Sequence, residues 1–296
     1  MNKDLKAQIA GIICVFMWGS GMPFTRLIGD RIDAYSLVFI RSFLSALVLI
    51  GIALLTTGLR KPFKKSHYLM FFVFGLVNFS LYTIFYNLGL QTLESAPASV
   101  IASTTPIFAA IALQFIYDEK IKALGWISIT AAFFGVVIML MWKGTMNLTI
   151  GVLWMFLNAM ANAFFSISSR KTAELGYTPL ESVTYQQIAA AIQMSIFLPQ
   201  AISCISTAGL TANLAVLYLA IFPNGLACWL WVKAVGDADK TSRVTNCVFF
   251  MPVAAALIGY LVMGEVPGVN TLVGGIIIIL SVVIFSTYGL QKDEHL

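Results

Sequence analysis

Pro106-Ile-Phe-Ala-Ala-Ile-Ala-Leu-Gln-Phe-Ile-Tyr-Asp-Glu119 and Pro252-Val-Ala-Ala-Ala-Leu-Ile-Gly-Tyr-Leu-Val-Met-Gly-Glu265 are two versions of one segment. Each opens on proline, runs through small and apolar residues, and closes on glutamate at the same spacing. The shared register then sets Gly135-Val-Val-Ile138 against Ser281-Val-Val-Ile284. Self-similarity at one long offset marks an internal repeat. It divides the chain into two halves, 1–146 and 147–296.

Composition says what each half is built of. The 296 residues are 59% hydrophobic and 10% charged, with mean hydropathy +0.88. A soluble domain carries about a quarter charged residues, so the chain reads as an integral membrane protein. Apolar runs bounded by turn and charge clusters predict ten helices, at about 8–27, 35–58, 67–90, 95–117, 122–141, 149–170, 181–203, 213–235, 241–263 and 269–288. A membrane helix takes about 20 residues, and no run shows the period-two alternation of a barrel strand. The expected fold is therefore all-α, with ten transmembrane helices. Five spans in each half is an odd number, so the second half enters the bilayer upside down. That inverted repeat is a plan on which many secondary transporters are built, and it suits alternating access.

Charge sets the orientation. Fourteen of the Lys and Arg residues, Arg60, Lys61, Lys64, Lys65 and Lys122 among them, fall on one side, against Arg26, Arg31 and Lys143 on the other. The basic side is cytoplasmic, which places both termini in the cytoplasm and the protein in the cytoplasmic (inner) membrane. Because the basic residues sit in short loops, the formal charge of +5 does not point to nucleic acid. The expected partners are the lipid bilayer and a small-molecule substrate, with the chain acting as a monomer. No small-residue cleavage site follows the first apolar run, which reads as a retained span. Cys14, Cys204, Cys228 and Cys247 lack metal-ligand spacing, so no metal and no cofactor are expected.

Polar residues inside apolar runs locate the business of the molecule, since each is expensive in lipid. The stretch Met17-Trp-Gly-Ser-Gly-Met-Pro-Phe-Thr-Arg26 interrupts the first span with Gly19, Gly21 and Pro23. These weaken a helical ladder, and a local break or kink is expected, opening backbone groups to a cavity walled by Trp18 with Ser20 offering its hydroxyl. The other reading is that the glycines merely permit close packing and Trp18 is an interfacial anchor. In the third span Asn78, Tyr82 and Tyr86 recur every four residues and so share a face, with Asn87 beside them. Asn158 and Asn162 lie one turn apart in the sixth span, and Asn224 and Trp229 lie in the eighth. Taken together these predict a binding chamber. Tyr185, Gln186 and Asn246 serve packing as readily as binding. Pro106 and Pro252 fall within their spans, where paired kinks would let the repeats rock. Glu119 and Glu265 read as structural pins, capping amides or pairing a loop cation.

Trp18-Gly19-Ser20, Arg41 in the second span and the Pro-to-Glu segments of the fourth and ninth together resemble the EamA family of the drug/metabolite transporter superfamily. The resemblance covers nearly the whole chain. It implies two inverted five-helix repeats and an exporter of amino acids or other small metabolites. The second half departs from the pattern, with Asn158 and Gln186 where Trp18 and Arg41 would stand.

Charge placement bears on mechanism. No acidic residue falls near the centre of a predicted span, whereas a proton-coupled exporter of organic cations needs such a carboxylate. Multidrug efflux is therefore the alternative, and a channel-like facilitator a further one. Arg41 has three readings: pairing a substrate carboxylate, snorkelling to headgroups, or capping carbonyls at the break in the first helix. Hydrolysis through Ser20 would need a histidine base within the membrane, and the histidines are His67 in a loop and His295 in the tail. No enzyme is expected. Aromatic walls, amides and Arg41 together suit neutral amino acids, aromatic ones included.

Overall fold

Apolar sequence of this length folds as helix because lipid offers the backbone no other partner. The computed structural model describes residues 3–117, 121–141, 150–237 and 246–289. Eight of its helices are long and apolar enough to cross a bilayer: Leu5–Ile28, Ala34–Leu55, Lys65–Leu90, Ser95–Ile116, Ile150–Glu174, Pro179–Thr207, Gly209–Ala234 and Val269–Tyr288. Two shorter apolar helices, Ala123–Met139 and Met251–Met263, accompany them. The helix expected over 241–263 is thus shorter in its described part, with a 3-10 turn, Asn246–Phe250, ahead of it. Asp118, Glu119, Lys120, Lys143, Asp239, Lys240, Arg243, Lys292 and His295 lie outside the described residues, as does the side chain of Asn246.

By winding, the chain divides into α1 (Lys3–Ile28), α2 (Ala34–Leu55), α3 (Lys65–Gly75), α4 (Tyr82–Leu90), α5 (Ser95–Ala102), α6 (Thr105–Tyr117), α7 (Ala123–Met141), α8 (Ile150–Glu174), α9 (Pro179–Met194), α10 (Leu198–Thr207), α11 (Gly209–Leu219), α12 (Ala227–Asp237), α13 (Met251–Met263) and α14 (Val269–Tyr288). Between α3 and α4, Leu76–Leu81 is wound as a π-helix, and so is Ala220–Leu226 between α11 and α12. Local chemistry sets several ends. Asp33 caps α2, its Oδ1 accepting from the Tyr35 and Ser36 amides at 3.0 Å. Thr178 and Glu181 form a capping box at the start of α9, with Pro179 in its first turn. Gly264 ends α13 at φ +69°, a left-handed cap that disfavours any side chain.

Packing between the halves is reciprocal. α7 lies antiparallel on α14: Lys122 N donates to Gly289 O at 2.8 Å and Asn270 Nδ2 to Met139 O at 3.0 Å, with Gly135 facing Gly274 between them. α2 lies antiparallel on α9, from Tyr35 stacked on Phe197 just beyond α9 to Arg60 paired with Glu181. α8 crosses α3 and α4 antiparallel, through Asn78 to Ser168 and Tyr82 to Asn158. α1 meets α11 and α12 in the same sense, through Ser20 to Tyr218 and Cys14 to Ala227. Exchanging the halves leaves this scheme of neighbours unchanged.

One expectation about backbone irregularity is corrected, and another is located. α1 runs as continuous α-helix from Lys3 to Ile28 with Pro23 inside it, so the break at Gly19 to Pro23 is absent. The glycines serve contact instead. A Cβ on Gly19 would stand 2.7 Å from Ala254 Cβ and 3.2 Å from Met251 O, so only a glycine lets α1 lie this close to α13. Interruptions of winding fall instead beside Pro106 and Pro252: Ser103 and Thr104 break the span Ser95–Ile116 just before Pro106, and the 3-10 turn Asn246–Phe250 stands just before Pro252. Each proline sits in the first turn of a helix, α6 and α13, where the missing N–H is harmless.

Candidate functional site

The irregular backbone lies opposite α1 and not within it, and side chains from three helices attend it. A π-turn leaves carbonyls without their usual helical donors, which in a membrane must be satisfied from elsewhere. In Ala220–Leu226, Ser45 Oγ of α2 donates to Ala220 O at 2.7 Å, Trp18 Nε1 of α1 to Pro223 O at 3.0 Å, and Gln187 Nε2 of α9 to Asn224 O at 3.2 Å. Ser20 joins the same wall, 2.7 Å from the Tyr218 hydroxyl. Trp18 thus spends its N–H on the wound segment, and its ring lies 5.0 Å from that of Trp231.

The offset of 146 residues that carries Pro106 to Pro252 also carries Asn78 to Asn224, and each asparagine sits in a π-segment. Asn78 Nδ2 donates to Gln186 Oε1 at 2.6 Å and to Ser168 Oγ at 2.7 Å. Asn224 Nδ2 reaches α2 instead, at 3.1 Å from Ser45 Oγ and 3.5 Å from the Arg41 carbonyl. Arg41 and Gln186 each stand seven residues into a helix, α2 and α9, so each asparagine meets the counterpart of the other's partner. Around Gln186 both side-chain atoms of the glutamine are bonded, and Asn78 Oδ1 is the atom left without a partner. Around Arg41 the Asn224 amide takes only the arginine's backbone.

The Arg41 side chain is left unmatched. It is 4% exposed, and its Nε and Nη1 are buried without a hydrogen-bond partner. No ion pair among the described residues involves it. Its guanidinium carbon lies 5.7 Å from the centre of the Tyr86 ring, a cation–π contact. Tyr82 and Cys228 are within its electrostatic reach. Tyr82 and Tyr86 stack in α4 with centroids 6.1 Å apart. The Tyr86 hydroxyl would lie 3.1 Å from a Cβ on Gly21, so this glycine makes room for a tyrosine. Burial removes the snorkelling reading of Arg41, and an unbroken α1 removes the capping one.

Other expected residues are dispersed. Asn158 is buried and donates to Tyr82 O at 2.9 Å, holding the end of the first π-segment, and Asn162 is half-buried one turn on. Asn78 and Tyr86 do not act together, because the π-turn between them changes the register and Asn78 turns to Gln186. Trp229 packs beside Leu49, Phe79 and Leu180, with Lys233 Nζ 5.6 Å above its ring, while Trp231 takes the place against Trp18. Sequence reading missed Trp231, Tyr218, Ser45 and Gln187. Two hollows among the described residues lie away from all of these: a shallow groove of about 400 Å³ along Trp126 to Phe134, and one of about 40 Å³ beside Ser169 and Tyr177.

Latches close the bundle at both ends. Glu265 Oε1 lies 3.0 Å from Arg26 Nε, its Oε2 accepts from the Ser95 amide at 2.9 Å, and Arg26 Nη1 donates to Leu93 O. Glu265 therefore both caps and pairs, as a pin should. At the other end Arg60 grips Glu181 through Nε at 2.6 Å and Nη2 at 2.7 Å, and hydrogen bonding to that carboxylate raises the Arg60 pKa further.

Comparison with known proteins gives the geometry its setting. The profile of the EamA-like transporter family matches residues 5–141 and again 149–287. An uncharacterized transporter of Bacillus subtilis, YdfC, is 25% identical over 93% of this chain and 89% of its own. A probable terminal-alkyne amino-acid exporter of Streptantibioticus cattleyicolor is 24% identical over 98% of this chain and 97% of its own. One solved crystal structure shares the fold, with a TM-score of 0.66 at 18% identity over 95% of this chain and 96% of that one. Two matches to one family, which between them span most of the sequence, show that this chain belongs to the EamA-like transporter family.

Proposed function

We propose that the protein exports small metabolites, and amino acids in particular, neutral and aromatic ones included, across the cytoplasmic membrane by alternating access. The two halves, 1–146 and 147–296, act as inverted five-helix repeats of a ten-span bundle with both termini in the cytoplasm. Antiparallel packing of α2 on α9 and of α7 on α14 supports the inversion. The observation that carries the substrate reading is Arg41, a buried guanidinium with two unpaired nitrogens beside two stacked tyrosines. A planar fork of this kind matches a carboxylate bidentately, and the faces of Tyr82, Tyr86 and Trp18 suit an apolar or aromatic side chain. The relative from Streptantibioticus that is named as an amino-acid exporter agrees in class at low identity. Trp18, Ser20, Asn78, Asn158, Asn162 and Trp229 line or brace the path in this reading. Gly19, Gly21, Pro23, Pro106 and Pro252 allow the packed helices to shift.

Organic cations are opposed by the same residue, since an unpaired guanidinium repels them and no carboxylate among the described residues pairs with it. The test is flux in proteoliposomes holding the purified protein, with each proteinogenic amino acid and a set of lipophilic cations as solutes. Saturable movement of neutral amino acids is expected. Saturable movement of the cations alone would replace the proposal with drug efflux, and unsaturable conductance would replace it with a channel.

A further inference from the structure

From the unmatched charge of Arg41 we infer that the carrier is an obligate exchanger: it crosses between its two faces with a carboxylate-bearing solute aboard and hardly at all when empty. This rests on the substrate reading above and adds the coupling that reading leaves open.

The argument begins with what a closed core tolerates. Arg41 stays charged at any physiological pH. In the packed arrangement its side chain is 4% exposed, with Nε and Nη1 unbonded. Breaking a buried pair is strongly unfavourable because it strands a charge, and an empty closed carrier is in that condition from the outset. Apart from the face of Tyr86, its neighbours offer it no counter-charge and no acceptor. The Asn224 amide is turned to the Arg41 carbonyl and Ser45, Gln187 to the Asn224 carbonyl, and Asn78 to Gln186. Each acidic side chain in an ion pair among the described residues is tied to another cation: Glu265 to Arg26, Glu181 to Arg60, and Glu174 to Arg170 and Lys171. A bound carboxylate is the counter-ion that the fold withholds.

The counterpart position sharpens the point. Gln186, the equivalent of Arg41 in α9, is fully buried with its Oε1 and Nε2 both bonded. The residue at this position in one half is therefore neutral and satisfied without ligand, and its counterpart in the other is charged and is not. Closing over an acid pairs that charge, and closing over nothing buries the unpaired cation. The loaded carrier should change faces faster than the empty one, so that an acid carried one way must be met by an acid returning.

Counterflow decides this. The full chain is reconstituted, and uptake of radiolabelled L-phenylalanine and L-leucine is compared between vesicles loaded with the same unlabelled amino acid and vesicles loaded with buffer. Exchange is expected to exceed net uptake by about tenfold or more, which corresponds to a barrier difference of at least ~1.4 kcal/mol. R41Q, whose empty form carries no charge at this place, should lose that ratio, with net and exchange rates converging. R41K keeps the charge and should keep the ratio at weaker affinity, which guards against R41Q simply failing to fold. Equal net and exchange rates in the native protein would overturn the inference while leaving an amino-acid transporter. Internal chloride or nitrate stimulating as well as the amino acid would also overturn it, leaving a site for any small anion. No flux of either amino acid under any loading would remove the substrate reading and the inference with it.

Discussion

Arg41→Lys keeps the charge and removes the planar fork, so it separates carboxylate pairing from a merely positive environment. If the guanidinium holds the acid bidentately, lysine should weaken binding of an amino acid by about 1–3 kcal/mol. Binding of the matching amino-acid amide should change little. The quantity to measure is the ratio of the two affinities, in native and variant protein at fixed salt and pH, and an unchanged ratio would take Arg41 out of the site. Much of this scale was readable in the sequence. Arg41 stood out as a cation in an apolar run, and Tyr82 and Tyr86 by their spacing. Trp18 was found for an incomplete reason, since what it serves is the Pro223 carbonyl of another helix. Trp231 and Tyr218 escaped because an aromatic residue in an apolar helix looks alike whether it faces lipid or a tryptophan. The pairing of Asn78 with Asn224 was available from the repeat offset alone.

Helix ends are where elements are tested. Asp33 caps α2 from outside the membrane-spanning segments, and partial burial pushes its pKa up. Hydrogen bonds from Ser36, the Cys204 thiol and the Tyr35 amide outweigh this and hold it below the ordinary carboxylate value. With a depressed folded pKa, the stabilisation is present above the unfolded value of about 3.9 and is lost as pH falls through the folded one. Asp33→Ala should therefore cost about 0.5–2 kcal/mol near neutrality. The gap between native and variant thermal midpoints should shrink in strongly acid buffer, and a gap that held at low pH would mean the carboxylate is not the cap. Helix ends were legible because Asp, Thr, Pro and Gly carry local instructions. The π-winding was not, because it arises from a competition between tertiary donors and the helix's own ladder. Gly19, Gly21 and Pro23 pointed to a break, yet α1 stays whole because Gly19 is needed flat against Ala254 and Ala255. The irregular turns instead carry Asn78 and Asn224, residues whose side chains bridge to other helices.

At the scale of the whole molecule the repeat was legible in Pro106 and Pro252, while the neighbour scheme was not, since spacing along a chain does not say which helices touch. Orientation is testable directly. A cysteine placed at Gly209, on the side opposite the basic loops, should react with an impermeant maleimide added to cells, and one at Lys64 should not. The reverse pattern would invert the proposed topology. The packing of α7 on α14, with Gly125 against Gly289 and Gly135 against Gly274, also bears on how the protein is made. α7 leaves the ribosome long before α14 exists, so the first half must wait in the bilayer with its glycine groove unfilled. A chain halted before Val269 would resemble an orphan subunit. In a pulse–chase it should be cleared by membrane proteases well before the full-length protein, and equal lifetimes would mean that the first half is already finished when it is inserted.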